Sequence, residues 1–264
     1  MRIQTRDTVL QAVEQGPAGA PCLLLAHGIA TDHRLWQEVA AILAAEFRVI
    51  AYDCRGHGGS DAPAGPYTLA QLGADAIGLM DALGIGKAHF AGLSLGGMTG
   101  LGLALDHPDR LLSLACCDAR ASGNEAYRQS WTDRMALVQA QGIEAVVEPS
   151  LSRWFAEGFR TADPARAALV AEMVRGTSAA GYCGAGAALQ GLDYGPRLGE
   201  IRLPVLYLVG DEDQGAPPAV MREMQAATPG ARFVEIPRAG HLSAIEQPEA
   251  VAKALRDFLA EAAR

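Results

Sequence analysis

The stretch Gly92-Leu93-Ser94-Leu95-Gly96, with Gly97 after it, fits the pattern G-x-S-x-G. A strand pattern at 88–93 precedes it and a helical pattern at 96–105 follows it. Strand before and helix after is the setting in which this motif presents a nucleophile. A strand that turns abruptly into a helix leaves the middle residue strained, with its side chain projecting. Glycines on either side remove Cβ atoms that would collide across the turn. The start of the helix then offers free backbone N–H groups and a positive dipole end to an oxyanion. A plain Gly/Ser turn capping a helix has the same letters, but it does not need the strand in front.

The alternation recurs on both sides of this turn. Residues 22–26 form an apolar run ending at His27-Gly28. Residues 47–52 read as the next strand, ending at Asp53 and the glycine-rich loop Arg55-Gly56-His57-Gly58-Gly59-Ser60-Asp61. Short runs that are apolar throughout suit strands buried on both faces of a parallel sheet. Further strands are expected at 111–117, 205–209 and 232–236, and 2–5 with 8–13 read as an antiparallel hairpin. Helical spacing marks 69–83, 217–227, 248–260 and the segment carrying Leu35, Trp36, Val39, Ala40 and Leu43, which Thr31-Asp32 is placed to cap. Such alternation implies right-handed crossovers and an α/β fold, a mostly parallel central sheet flanked by helices.

Residues 120–197 break the pattern. They offer helical stretches at 125–141, 143–155 and 164–174, glycine-rich joints near Gly176 and at 181–191, and no convincing strand. The expected organisation is a core of residues 1–119 and 198–264, with 120–197 inserted as a helical cap. A cap so inserted would cover the carboxyl edge of the sheet, where active sites of open α/β folds lie.

A serine needs a base to act as a nucleophile. Of six histidines, His241 follows a strand and Gly240 and comes late, which suits the chain order Ser…Asp/Glu…His. His89 lies on the nucleophile's own strand and His107 at a helix end before Pro108. His33 and His57 lie where solvent could reach them, and His27 reads as an anchor of its loop. The acid should follow a strand, and 205–209 leads into Gly210-Asp211-Glu212-Asp213, which offers three carboxylates; Asp118, after 111–117, is the fallback. One carboxylate suffices to hold the imidazole tautomer and stabilise the imidazolium. For the oxyanion, the expected donors are the backbone N–H groups of Leu95 and of Ile29, beside Gly28.

Composition excludes several classes. Hydrophobic residues at 50% and charged residues at 20% describe a globular chain of 264 residues. A formal charge of −8 with no basic cluster argues against nucleic acid. No apolar run approaches the roughly 20 residues of a membrane span. The five cysteines are odd in number and form no CxxC pair, so neither a disulfide framework nor a zinc site is expected. The opening residues show no apolar leader, and a reducing cytoplasm is the expected location.

The motif set His27-Gly28, Asp53-Cys54-Arg55-Gly56-His57-Gly58-Gly59-Ser60-Asp61, Gly92–Gly97, Gly210–Asp213 and Gly240-His241 resembles the α/β-hydrolases over nearly the whole chain. Within them the chain is most similar to the 3-oxoadipate enol-lactonases of the β-ketoadipate pathway of aromatic catabolism. The closer marks are His107–Arg110, Trp131-Thr132-Asp133-Arg134, Ser152-Arg153-Trp154-Phe155, Gly181-Tyr182, Pro217-Pro218 and Glu246–Glu249. The resemblance implies Asp213 as the acid, and it places Ile29 and Leu95 at the oxyanion positions. It implies that Trp131 and Arg134 meet a substrate carboxylate. Trp154 and Phe155, beside each other in the cap, are placed either to line the pocket or to pin the cap. The resemblance implies no metal and no cofactor. Asp118-Ala119-Arg120 departs from the family, which carries a more neutral stretch there.

The expected function is therefore a serine hydrolase, a carboxylic ester hydrolase opening a small carboxylate-bearing lactone through an acyl-enzyme. The alternatives are a general carboxylesterase or a related C–C hydrolase or perhydrolase on the same residues, and a ligand sensor that does no chemistry. The expected partner is a small lactone or ester, with no nucleic acid and no membrane, and the chain a monomer or homodimer.

Overall fold

The computed structural model describes residues 1–262. The strands are β1 (Arg2–Gln4), β2 (Val9–Gln15), β3 (Cys22–Ala26), β4 (Arg48–Tyr52), β5 (Ala88–Leu93), β6 (Leu111–Cys117), β7 (Val205–Gly210) and β8 (Arg232–Ile236). They form one sheet in the order β1-β2-β4-β3-β5-β6-β7-β8. Pairing is antiparallel for β1 with β2 and for β2 with β4, and parallel from β4 to β8. The expected hairpin and the mostly parallel sheet are both present.

The central strands have the composition their position requires. Every residue of β3, β5 and β7 is buried. A strand covered on both faces has no position where a polar side chain reaches water, so the runs are apolar, and the one histidine, His89 of β5, meets the Ser113 hydroxyl. β2, at the antiparallel side, alternates instead between buried and half-buried residues over its first half.

The helices are α1 (Gln37–Leu43), α2 (Leu69–Ala82), α3 (Leu95–Asp106), α4 (Glu125–Gln141), α5 (Val147–Trp154), α6 (Phe159–Ala162), α7 (Pro164–Gly176), α8 (Ala179–Gln190), α9 (Pro218–Ala227), α10 (Ser243–Glu246) and α11 (Pro248–Ala262). α3 lies against β3, β5 and β6, and is buried from Leu95 to Ala104. α1 packs on α11, which also reaches β6 and β8. Asp32 accepts from the Arg34 N–H and caps a 3₁₀ turn, His33–Trp36, that leads into α1. Thr68 and Gln71 cap α2 reciprocally, each side chain satisfying the other's backbone N–H.

Between β6 and β7 the chain makes α4 to α8 and no strand, only an isolated bridge between Ser122 and Asp193. One expectation is corrected here. The glycines at 181–191 do not form a joint; most of that stretch is helix α8. A Cβ on Gly181 would collide with the Gly56 carbonyl, and one on Gly184 would press on the Tyr67 ring. The glycines let a helix lie directly on the glycine-rich loop, and tertiary contact overrides their poor helix propensity.

The register aligns Ala26 with Gly92, Gly92 with Cys116 and Cys116 with Tyr207. The loops that follow β3, β5, β6, β7 and β8 therefore leave the sheet along one edge.

Candidate active site

Ser94 stands between β5 and α3 with φ 54° and ψ −112°, outside the usual regions for a residue with a Cβ. Such a conformation costs of order 1–3 kcal/mol and persists only where its surroundings over-determine it. The Ser94 N–H donates to the Cys117 carbonyl at 2.8 Å, and the Gly96 N–H donates to the His27 carbonyl at 3.1 Å. A Cβ on Gly92 would collide with Gly96, and one on Gly96 would collide with the Ala26 carbonyl. The turn is thus clamped between β3 and β6, and only glycine fits on either side of Ser94.

The Ser94 hydroxyl lies 3.0 Å from His241 Nε2. His241 Nδ1 lies 2.8 and 3.0 Å from the two Asp213 oxygens. These partners assign the ring: Nδ1 carries the proton toward the carboxylate and Nε2 accepts from the hydroxyl. Asp213 also accepts from the N–H groups of Gly215 at 2.6 Å and Ala216 at 3.0 Å. Burial pushes the Asp213 carboxyl up, but the His241 ring and those two N–H donors together hold it below the usual carboxylate range. It faces His241 as an anion.

Neither of the other carboxylates in that loop meets His241. Asp211 and Glu212 are exposed and accept from the N–H groups of Ala239 and Glu157. Asp118, the fallback acid, is buried one loop away with φ 48°. It accepts from the Gly210 N–H at 2.8 Å and from the Ser243 hydroxyl at 2.5 Å. Burial first, and then the Asp213 charge, push its carboxyl well above the usual range. It joins the end of β7 to the residue two places after His241.

The backbone N–H groups of Ile29 and Leu95 donate to no acceptor among the described residues. Leu95 is the first residue of α3 and Ile29 lines the cleft over Ser94. Gly28 lies so close that a Cβ there would approach Ser94 Cβ to 3.5 Å. Two unused donors near one hydroxyl are the geometry an oxyanion requires. His27 holds the loop in place, since its Nε2 accepts from the Cys54 N–H at 2.9 Å and its Nδ1 lies 2.6 Å from the Gly28 carbonyl.

The remaining histidines have other partners. His33 is paired with Asp53 at 2.7 Å, and His57 is buried against His27 rather than solvated. His89 meets the Ser113 hydroxyl at 2.8 Å. Asp32, His33 and Asp53 bring one ligand-type atom each within 4.8 Å of one another. Their oxygens already serve Arg34, His33 and Gly59. All five thiols are unpaired and pushed up by burial, to about 11 for Cys22, so none is held as a reactive thiolate.

A cleft of about 40 Å³ opens over Ser94 and His241. Trp131, Arg134 and Trp154 all line it, as does Arg120. Tyr127 and Arg153 line it too, and sequence reading had not singled them out. Arg153 does stand in the Ser152–Phe155 stretch, but no local pattern separates a pocket arginine from a surface one. The Arg134 guanidinium lies 4.8 Å from the Trp131 ring centre and that of Arg120 lies 5.5 Å from Tyr127. The two rings meet edge to face at 6.2 Å.

The inserted helices and the base loop are joined directly. The His241 N–H donates to the Trp154 carbonyl at 2.7 Å. Glu246 accepts from the N–H groups of Gly240 and Ala156, both at 2.8 Å. A wider surface groove of about 850 Å³, lined by Phe155, Arg160 and Glu212, does not reach Ser94.

Comparison with known proteins shows the family and the fold. The alpha/beta hydrolase fold family matches residues 21–248. The chain is 34% identical to 3-oxoadipate enol-lactonase 2 of Acinetobacter baylyi, over 94% of this chain and 92% of that one. The crystal structure of the enol-lactonase from Burkholderia xenovorans LB400 superposes with a TM-score of 0.95 at 36% identity, covering 98% of this chain and all of that one (100%). A thermophilic esterase from Thermogutta terrifontis, solved with malate bound, gives 0.93 at 31% identity, covering 99% and 98%. Among the described residues, no helix is long and apolar enough to cross a membrane.

Proposed function

The chain belongs to the α/β-hydrolase family and is a carboxylic ester hydrolase of the esterase–lactonase type, and on that premise we propose that it opens a small lactone bearing a carboxylate. Ser94 is the nucleophile, His241 the base and Asp213 the acid that orients it. The observation that carries this reading is the hydrogen-bonded row from Ser94 through His241 to Asp213, beneath a cleft lined by Arg134.

His241 Nε2 takes the hydroxyl proton as Ser94 Oγ attacks the lactone carbonyl. The carbonyl oxygen becomes an anion between the Ile29 and Leu95 N–H groups, each donor of this kind being worth about 2.7–4 kcal/mol in the transition state. The ring oxygen departs with the proton from His241 and leaves an acyl-enzyme on Ser94. Where that oxygen is enolic, its relaxation to a ketone makes the step irreversible. Water then attacks the acyl carbon with His241 again as base, and Ser94 is released. Through this cycle Arg134 holds the carboxylate, stacked on Trp131, with Trp154 on the cleft wall.

The likeness to the Thermogutta terrifontis esterase favours a second reading, in which acyclic esters are also accepted. The test compares 3-oxoadipate enol-lactone with p-nitrophenyl acetate, for wild type and Ser94→Ala. Fast, Ser94-dependent turnover of the lactone alone is the expected result. A fast ester reaction with an idle lactone overturns the lactone assignment and leaves an esterase.

A further inference from the structure

Most arginines of this chain face carboxylates. Arg48 pairs with Glu14, Arg55 with Asp75, Arg160 with Glu148 and Arg175 with Glu144. That is the expected outcome in a chain with formal charge −8. The cleft over Ser94 gathers three that do not. Arg120, Arg134 and Arg153 all line it, no acidic residue does, and none of the three forms an ion pair among the described residues.

The three differ in how far they are already engaged. Arg120 donates from Nε to the Gly215 carbonyl at 2.7 Å, and so steadies the loop that carries Asp213. Arg134 is half-buried on Trp131. Arg153 is exposed, on the last turn of α5, next to Trp154. Burial and the neighbouring Arg153 charge both lower the Arg134 pKa, so the two guanidiniums repel each other across the cleft. Two mutually repelling cations are relieved together by one ligand, if its charge is high enough. A single carboxylate on Arg134 leaves Arg153 unanswered.

We propose that the cleft takes a substrate with two anionic groups, a lactone or ester of a polycarboxylic acid, with Arg134 holding one carboxylate and Arg153 the other. This rests on the hydrolase reading above and extends its substrate class from one free carboxylate to two. Arg120 adds to the positive field and keeps the Asp213 loop in place.

The experiment measures binding by calorimetry, with succinate and butyrate as probes of equal carbon number and different charge, at pH 8 and low salt. Succinate is expected to bind at least about tenfold more tightly than butyrate to the wild type, one charge-assisted contact being worth that much. Arg153→Gln is expected to bring the two within about twofold, and Arg153→Lys to restore most of the preference. Arg160→Gln, a nearby arginine paired with Glu148, is the control and keeps the preference. Equal affinities in the wild type, a preference that survives Arg153→Gln, or no binding of either probe overturns the proposal. Turnover of p-nitrophenyl acetate that is lost in Ser94→Ala is read in parallel. It tests the hydrolase reading separately, so failure of one is not mistaken for failure of the other.

Discussion

The Glu246 carboxylate accepts a 2.8 Å hydrogen bond from the Ala156 N–H, so a buried acid fastens the inserted helices to the loop of His241. Burial pushes this carboxyl from the ordinary 4.5 up to about 7, against the pull of the N–H groups of Ala156 and Gly240. The folded protein therefore keeps a proton that the unfolded chain releases earlier. The stability this confers is fully present below the unfolded value and is lost as pH rises from about 4.5 through about 7. Glu246→Gln does not titrate. The stability of wild type relative to Glu246→Gln should fall between pH 5 and pH 8, by up to about 3 kcal/mol. Urea unfolding at both pH values checks this, and a difference that grows with pH contradicts it.

Asp118 gives a second test, because its two hydrogen bonds differ in what a substitution leaves behind. Asp118→Ala strands the Gly210 N–H and the Ser243 hydroxyl in a dry interior, at about 1–3 kcal/mol each. Asp118→Asn keeps one oxygen for Gly210 and offers an amide to Ser243, and it removes a charge that burial opposes. The alanine variant should unfold at clearly lower urea, whereas the asparagine variant should match or exceed wild type at pH 7.

Replacing Ser94 by alanine should reduce kcat by about four powers of ten or more, and His241→Ala should do nearly the same, because members of such a set act as one unit. The double variant should be little worse than either single one. Additive losses in steady-state kinetics would mean that the two residues act independently.

Arg134→Gln should raise KM for a carboxylate-bearing lactone by about 10- to 100-fold, the worth of one hydrogen bond to a charged group. It should change KM for neutral p-nitrophenyl acetate little. An equal loss on both substrates would point to collapse of the Trp131 wall.

Gly181→Ala runs against the usual rule. In an exposed helix this change gains roughly 1 kcal/mol. Here the added methyl meets the Gly56 carbonyl, and a loss of about 1–3 kcal/mol is expected, the usual cost of overpacking. Thermal unfolding of the variant measures it.

That glycine also marks where sequence reading stopped. β3, β5 and β6 are legible to the residue because strands buried on both faces leave short, mostly apolar runs. Helix α8 is not, because Gly181, Gly184 and Gly186 are chosen by what lies against them and that neighbour is distant in sequence. The turn at Ser94 is legible because its two glycines fall at a fixed spacing about the serine, between a strand and a helix. The acid is less so: Asp211, Glu212 and Asp213 are equivalent as letters, and only the fold of their loop aims one at His241. Arg153 is the hardest case. Its surroundings depend on how five helices pack, and no nearby residue records that.

The hydrogen bond from the His241 N–H to the Trp154 carbonyl bears on how the chain could be re-engineered. Segments inserted between strands are often treated as interchangeable parts, to be grafted from one scaffold to another to alter selectivity. In this chain the graft would also replace the carbonyl that seats the base. A transplanted segment that offers a well-shaped cavity but no acceptor at that point would arrive with a displaced imidazole. Recombination here should respect the pair 154 and 241 as a single inherited block.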